Sequence, residues 1–174
     1  MNVLFFIFCL IKTNHYFCRH IVNRIIKHNF QQDTIMLTSQ DIDQRIQQAR
    51  SLHREGFNCS QAVFAACADL YGIPQEQALR LSASFGGGIG GTRNVCGAVC
   101  AMCMLEGLRS GSSTAGDFSG KKANYANVQQ LLEQFSRQHG GSFICAELLQ
   151  NPDSPSCNDK VANATRLALQ NLLK

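Results

Sequence analysis

The sequence predicts an all-α protein, a compact bundle of six to seven helices with a Gly-rich loop before the central helix. Three observations carry that expectation. Apolar residues recur at helical spacing in successive segments, and each segment opens on a capping residue and closes on a glycine or proline. No run of alternating β-branched residues is present to build strands. No internal repeat or interdomain linker divides the 174 residues, a length that suits one domain with a sizeable core. Hydrophobic content of 45% against 16% charged residues belongs to a globular chain rather than a disordered one.

Each element has a local reason. Thr38 or Ser39 can cap a first helix, Asp41 and Asp43 complement its positive end, and Ile42, Ile46 and Ala49 repeat at helical spacing before Gly56 stops the run. Asn58 is the N-cap of a second helix with Cys59, Val63, Ala66 and Leu70 on its apolar face, ending at Gly72. Pro74 opens a short third helix carrying Ala78, Leu79, Leu81 and Phe85. After the glycine loop 86–91, Asn94 or Thr92 is expected to cap a fourth helix running to about Arg109. A small polar loop over 110–116 leads to a long helix over 117–138, with Tyr125, Val128, Leu132 and Phe135 as its buried stripe, broken at Gly140-Gly141. Residues 145–149 form a helical turn, 151–156 a loop, and a last helix starts at Cys157 or Asn158 with Val161, Ala164, Ala168 and Leu172 inward.

Residues 36–174 are therefore expected to form a single helical domain behind an N-terminal extension, residues 1–35. The nine apolar residues Val3 to Ile11 are too few to span a membrane. A secretory signal carries its charges before the apolar run and a small-x-small site after it; here Lys12, Arg19, Arg24 and Lys27 follow the run and no such site appears. Met36 stands directly before the helix-start context Leu37-Thr38-Ser39. The extension is a translated upstream segment with the working start at Met36, a membrane-surface anchor, or an atypical export signal.

Net charge is +4, and those four basic residues before Asp33 leave the remainder nearly neutral. There is no basic face with interleaved aromatic residues, which excludes nucleic acid as a partner class. Nine cysteines, an odd number, cannot all pair within one chain. A chain of this length needs no disulfide staples, so reduced thiols in the cytoplasm are expected, with membrane-surface association or export through residues 1–35 as the alternatives.

The chemistry concentrates between Phe85 and Cys103. Gly86, Gly87, Gly88 and Gly90 lie in a loop whose successive N–H groups can form an anion-binding nest, and they are the candidate cofactor-binding positions; close packing of two helices is the other use of such glycines. Cys96, Cys100 and Cys103 are spaced i, i+4, i+7, along one side of a helix. Such a stripe also suits a buried face, since cysteine packs as a small hydrophobe. Cys96 stands apart, because a helix start beside the nest lowers a thiol's pKa; it is the expected reactive or metal-bound sulfur.

Stock motifs fit poorly. Gly86-x-Gly88-x-x-Gly91 follows a helical segment rather than the strand a dinucleotide fold needs. The Lys-Ser/Thr of a P-loop is missing. Cys96-x3-Cys100-x2-Cys103 has the spacing of radical SAM enzymes, but Met102 stands where an aromatic residue is usual and no strands are apparent. Cys100-x2-Cys103 lacks the second pair of a zinc finger. His53 and His139 near helix ends receive no role, and Asp117, Glu133 and Glu147 form no acid–base pair.

Asn58-Cys59-Ser60-Gln61-Ala62-Val63, Phe85-Gly86-Gly87-Gly88-Ile89-Gly90, Cys96-Gly97-Ala98, Cys145 and Cys157, in that order, resemble the C_GCAxxG_C_C family of redox-active proteins over about residues 40–173. Members are bacterial or archaeal, and a similar domain occurs in split-Soret cytochromes, where an iron–sulfur cluster is associated with it. The family's four named cysteines carry over to Cys59, Cys96, Cys145 and Cys157. Ala101 stands where the family core has its last glycine, and Cys67, Cys100 and Cys103 lie outside the set. No Cys-x-x-Cys-His is present to attach c-type haem.

The resemblance implies electron transfer or thiol redox work with an oxidoreductase or electron-transfer partner protein. Four thiolates around one point, Cys59, Cys96, Cys145 and Cys157, would bind a [2Fe–2S] or similar iron–sulfur cluster; equally they would form two reversible disulfides, with Cys96 and Cys59 as the catalytic pair and exchange at Cys96. The rival classes are a non-catalytic helical binding or scaffold module with buried cysteines, and a structural zinc site on the same thiols. The oligomeric state is left open.

Overall fold

The structure, a computed structural model, describes residues 37–173, and the expectations for residues 1–35 fall outside that range. The described residues are all-helical, as expected: seven α-helices with two short 3-10 turns and no strands. The α-helices are α1 (Ser39–Arg54), α2 (Cys59–Ala65), α3 (Gln75–Ser82), α4 (Gly97–Ser110), α5 (Phe118–Arg137), α6 (Cys145–Gln150) and α7 (Cys157–Leu172). The 3-10 turns are Ala68–Tyr71, which ends the second expected helix early, and Ala83–Phe85. No helix among the described residues is long and apolar enough to cross a membrane.

Side chains fix the helix starts by satisfying amides that have no partner within the helix. Thr38 and Asp41 form a capping box on α1, with Thr38 N–H donating to Asp41 at 2.8 Å and Asp41 N–H to Thr38 Oγ1 at 3.1 Å. Asn58 and Gln61 do the same for α2: the Asn58 carbonyl accepts from the Ser60 and Gln61 amides at 3.0 Å each. Asp117 caps α5 and Ser156 caps α7.

α4 is the central helix, packed against α2, α5 and α7, while α1 covers α2 and α7. Fully buried alanines such as Ala62, Ala66, Ala98, Ala101 and Ala164 let these helices approach closely, and Phe64, Met102, Leu131, Phe135 and Leu169 fill the space between them. Burying Phe135 alone contributes about 2–3 kcal/mol.

Two expectations are corrected. The stripe of α5 runs through Leu131 and Phe135, with Val128 and Leu132 half-buried and Tyr125 exposed. The first half of α5 turns Asn124 inward instead, where its amide donates to Ser110 Oγ at 3.0 Å, and Tyr125 takes the Lys121 ammonium over its ring. The second correction concerns α4, which begins at Gly97 with Cys96 as its N-cap, not after Thr92 or Asn94. The segment leading into α4 pairs instead with the segment before α6, through an isolated antiparallel bridge between Val95 and Ile144. Cys96 N–H donates to Phe143 O at 2.9 Å and Cys145 N–H to Asn94 O at 2.7 Å. This short pairing ties the start of α4 to the start of α6.

Away from the cysteines, Glu106 joins α4 to α7. Its carboxylate is 3% exposed and accepts from Arg109 twice, from Ser110, and from Asn171 on α7 at 2.7 Å. Burial pushes its pKa up, but these bonds outweigh burial and hold it below the ordinary value of 4.5. Glu106→Ala leaves Asn171 and Arg109 without their acceptor and should cost about 2–4 kcal/mol in denaturant unfolding. Because the folded pKa is depressed, the carboxylate's contribution is present above the unfolded value and is lost as the pH falls through the folded one. The gap between wild type and Glu106→Gln should therefore narrow in acid unfolding series.

Candidate functional site

The four cysteines Cys59, Cys96, Cys145 and Cys157 each stand at the start of a helix. Cys59, Cys145 and Cys157 are the first residues of α2, α6 and α7, and Cys96 is the N-cap of α4. All four border one cavity of about 210 Å³, together with Arg93, Lys160 and His53. Cys96 and Cys145 are buried, Cys59 is half-buried and Cys157 is exposed. All seven cysteines among the described residues are free thiols.

Cys59 and Cys96 face each other, and each side chain is the other's hydrogen-bond partner. Glycine permits it. A Cβ on Gly97 would lie 2.6 Å from Cys59 Sγ and 2.6 Å from Phe85 O, so any other residue after Cys96 would displace the sulfur or the chain. The loop ahead of α4 brings in a further donor. Gly87, Gly88, Ile89, Gly90 and Gly91 all have φ between 60° and 79°, a left-handed run in which only Ile89 carries a side chain. Glycine adopts this region freely, whereas Ile89 costs about 1–2 kcal/mol. The run folds the loop back so that the Gly87 amide meets the Cys59 sulfur.

The expected anion nest is not what this loop forms. The amides of Ile89, Gly90 and Gly91 donate to the carbonyls of Phe85, Ser84 and Gly86, at 3.1, 2.7 and 3.1 Å. Gly86 lies against the Asn58 side chain, where a Cβ would come within 2.4 Å, and Gly88 against the Arg93–Asn94 backbone. Of the candidate cofactor-binding positions Gly86, Gly87, Gly88 and Gly90, only Gly87 borders the cavity. The glycines pack the loop and aim one amide at a thiol.

The acidified thiol is Cys59 rather than Cys96. The Cys96 S–H donates to Cys59, which drives the Cys59 pKa well below the ordinary thiol range; burial opposes this, and the amides of Gly87, Ser60 and Ala98 add to it. Cys96 moves the other way, because its proton is held by Cys59, its sulfur is buried, and a negative Cys59 disfavours a second charge. Sequence alone put the amide-rich position at Cys96, which the Ala98 and Val99 amides do face; three backbone amides, from the loop, α2 and α4, face Cys59. Three thiols away from the cavity are held protonated: burial pushes Cys67 to about 12, Cys100 to about 11 and Cys103 to about 12. Ala101, where the family core has its last glycine, is a buried residue within α4 and needs no special backbone conformation.

Cys145 has Arg93 Nη1 as its neighbour at 3.9 Å. Arg93, Lys160 and His53 carry no role in the sequence expectations. Lys160 follows Cys157 by three residues, which puts both on one side of α7, and that spacing was the available signal. Arg93 reaches the cavity from a left-handed position, φ 63°, that nothing in the sequence marks.

Four cysteine thiols are the donor set iron–sulfur clusters use. The donor type is compatible with a cluster, but the placement does not fit one. Among the described residues no three His, Cys, Asp or Glu side chains are arranged to hold a metal ion.

A family model described as "Putative redox-active protein (C_GCAxxG_C_C)" matches residues 57–170, which contain every cysteine of the site. No curated protein and no solved structure matches the chain.

If Cys59 carries the charge, its alkylation should stay fast below neutral pH, where Cys67, Cys100 and Cys103 are unreactive. Cys96→Ala removes the S–H donor and should raise the midpoint of the Cys59 pH–rate profile by about one pH unit or more, whereas Cys96→Ser keeps a donor and should raise it less. Site-resolved mass spectrometry of alkylated protein across a pH series reads both. Gly97→Ala should shift the same midpoint upward by moving Cys59 away from its amides.

Proposed function

The chain belongs to the redox-active C_GCAxxG_C_C family, and we propose that it is a dithiol–disulfide exchange protein whose working pair is Cys59 and Cys96. The observation that carries this is that Cys59 and Cys96, from two helix starts, meet on the wall of one cavity, with Gly97 leaving the room for that contact. The attacking sulfur in such chemistry is a thiolate, and the second thiol must be within reach to complete the exchange.

The reaction balances as two electrons and two protons. The Cys59 thiolate attacks one sulfur of a substrate disulfide, forming a mixed disulfide and releasing the other half as a thiolate. Cys96 loses its proton and attacks the Cys59 sulfur. The Cys59–Cys96 disulfide forms and the second substrate half leaves as a thiolate; one released half takes the proton that Cys96 lost, and the other takes from solvent the proton that Cys59 gave up on ionising. The substrate disulfide is reduced and the protein dithiol is oxidised. A partner oxidoreductase with its own dithiol returns the pair to the reduced state. Cys145 and Cys157, on the same cavity wall, offer two further thiols for exchange with the oxidised pair. Residues 36–174 are the working domain in this proposal, and free thiols of this kind suit a reducing cytoplasm.

Redox titration with small dithiols should show one reversible two-electron step that removes two free thiols. Cys59→Ser should abolish that step. Cys96→Ser should stop it halfway, leaving a mixed disulfide on Cys59 detectable by intact mass. Protein purified and reconstituted anaerobically should carry no stoichiometric iron and sulfide. Stoichiometric iron lost on Cys59→Ser, with no mixed disulfide in Cys96→Ser, would overturn the proposal.

A further inference from the structure

The cavity beside Cys59 has a charge pattern that disulfide exchange does not require. Arg93, Lys160 and His53 border it, and no aspartate or glutamate does. Lys160 is 4% exposed, yet its ammonium has one neutral acceptor, the Pro155 carbonyl, and no ion pair among the described residues. The acid next to it on α7, Asp159, is engaged by Arg50 and Ser156. The Lys160 charge also bears on buried His139, adding to the burial that lowers the pKa of that imidazole. A buried ammonium without a carboxylate is costly unless an anion reaches it. The remaining wall includes Leu148 and Leu149, suited to a short alkyl chain. A volume of about 210 Å³ is the space of roughly seven waters of liquid, which suits a small organic molecule.

We propose that this cavity selects small disulfides bearing carboxylates, with Lys160 and Arg93 holding the anionic groups while the sulfur pair meets Cys59. The inference rests on the dithiol–disulfide function and names its substrate class. It makes a prediction opposite to simple electrostatics. A bare thiolate repels an anionic disulfide and attracts a cationic one, so a free thiol reacts in the order cation, neutral, anion. Two cations in the cavity reverse that order.

Three symmetric dialkyl disulfides of similar size supply the test: dithiodipropionate (dianionic), bis-hydroxyethyl disulfide (neutral) and cystamine (dicationic). The measurement is the second-order rate of Cys59 oxidation in the full chain near neutral pH and low ionic strength. Dithiodipropionate should react fastest, about tenfold or more ahead of cystamine, and its lead should shrink as salt is added. Arg93→Gln and Lys160→Met should each reduce the anion-to-cation ratio severalfold. If Lys160→Met fails to fold, the exposed Arg93→Gln and the salt series still decide. Cystamine reacting fastest with wild type, or a ratio unmoved by salt and by Arg93→Gln, would overturn charge selection while leaving disulfide exchange intact. No Cys59 oxidation by any of the three would instead overturn the exchange function on which the inference rests.

Discussion

One close approach, of the Cys96 helix start to the Cys59 helix start, organises this site. For Cys96 to give its proton to Cys59, the N-cap of α4 must lie against the first turn of α2, at a distance that leaves no room for a side chain between them. Gly97 meets that demand, since a Cβ there would sit 2.6 Å from the Cys59 sulfur. The left-handed run Gly87–Gly91 then brings a backbone amide to the same sulfur from a third direction. Asn58 fixes the near side by capping α2 and donating to Ala83 O at 2.8 Å, which ties the Cys59 turn to the segment leading into the loop. The pairing of Val95 with Ile144 fixes the far side and carries Cys145 to the cavity. Each of these local features would be an oddity alone; together they surround one sulfur.

The same principle separates the working sulfurs from the ordinary ones. Cys67, Cys100 and Cys103 are held protonated mainly by burial. Cys59 is also largely surrounded by protein, yet the balance reverses because a neighbouring S–H and three amides face it. Burial without donors makes a thiol inert, and burial with donors makes it acidic. Position on a helix decides which applies: the first turn has unpaired amides to offer, and the middle of a helix has none. That is why the i, i+4, i+7 stripe on α4 carries no shared chemistry despite its regular spacing.

Much of the fold was legible. Thr38, Asn58, Gly72 and Pro74 punctuate the chain by local rules, and those helices begin or end where the rules put them. The start of α4 was not legible, because Cys96 is positioned by hydrogen bonds to residues nearly fifty positions away, and no local propensity encodes that. Tyr125 was misjudged for a related reason: its neighbour Asn124 is drawn inward by the polar cluster around Glu106 and Ser110, which overrides the apolar periodicity. At the site, the family resemblance named the four cysteines that share the cavity, and the local rule for helix starts pointed to Cys96 without its partner Cys59. The rule was sound; what it lacked was the second helix start, and the loop amide, that meet at Cys59. Lys160 shows the converse, since its i+3 relation to Cys157 was in plain view but gained meaning only once the cavity gave that side of α7 something to face.

The most direct test of the central claim is to identify the first disulfide that forms. Partial oxidation of the reduced chain with less than one equivalent of a small disulfide, followed by quenching and peptide mapping, isolates the single-disulfide species. The account predicts that the species joins Cys59 to Cys96 and leaves Cys145 and Cys157 as free thiols. A first disulfide between Cys145 and Cys157, with Cys59 and Cys96 still reduced, would contradict it.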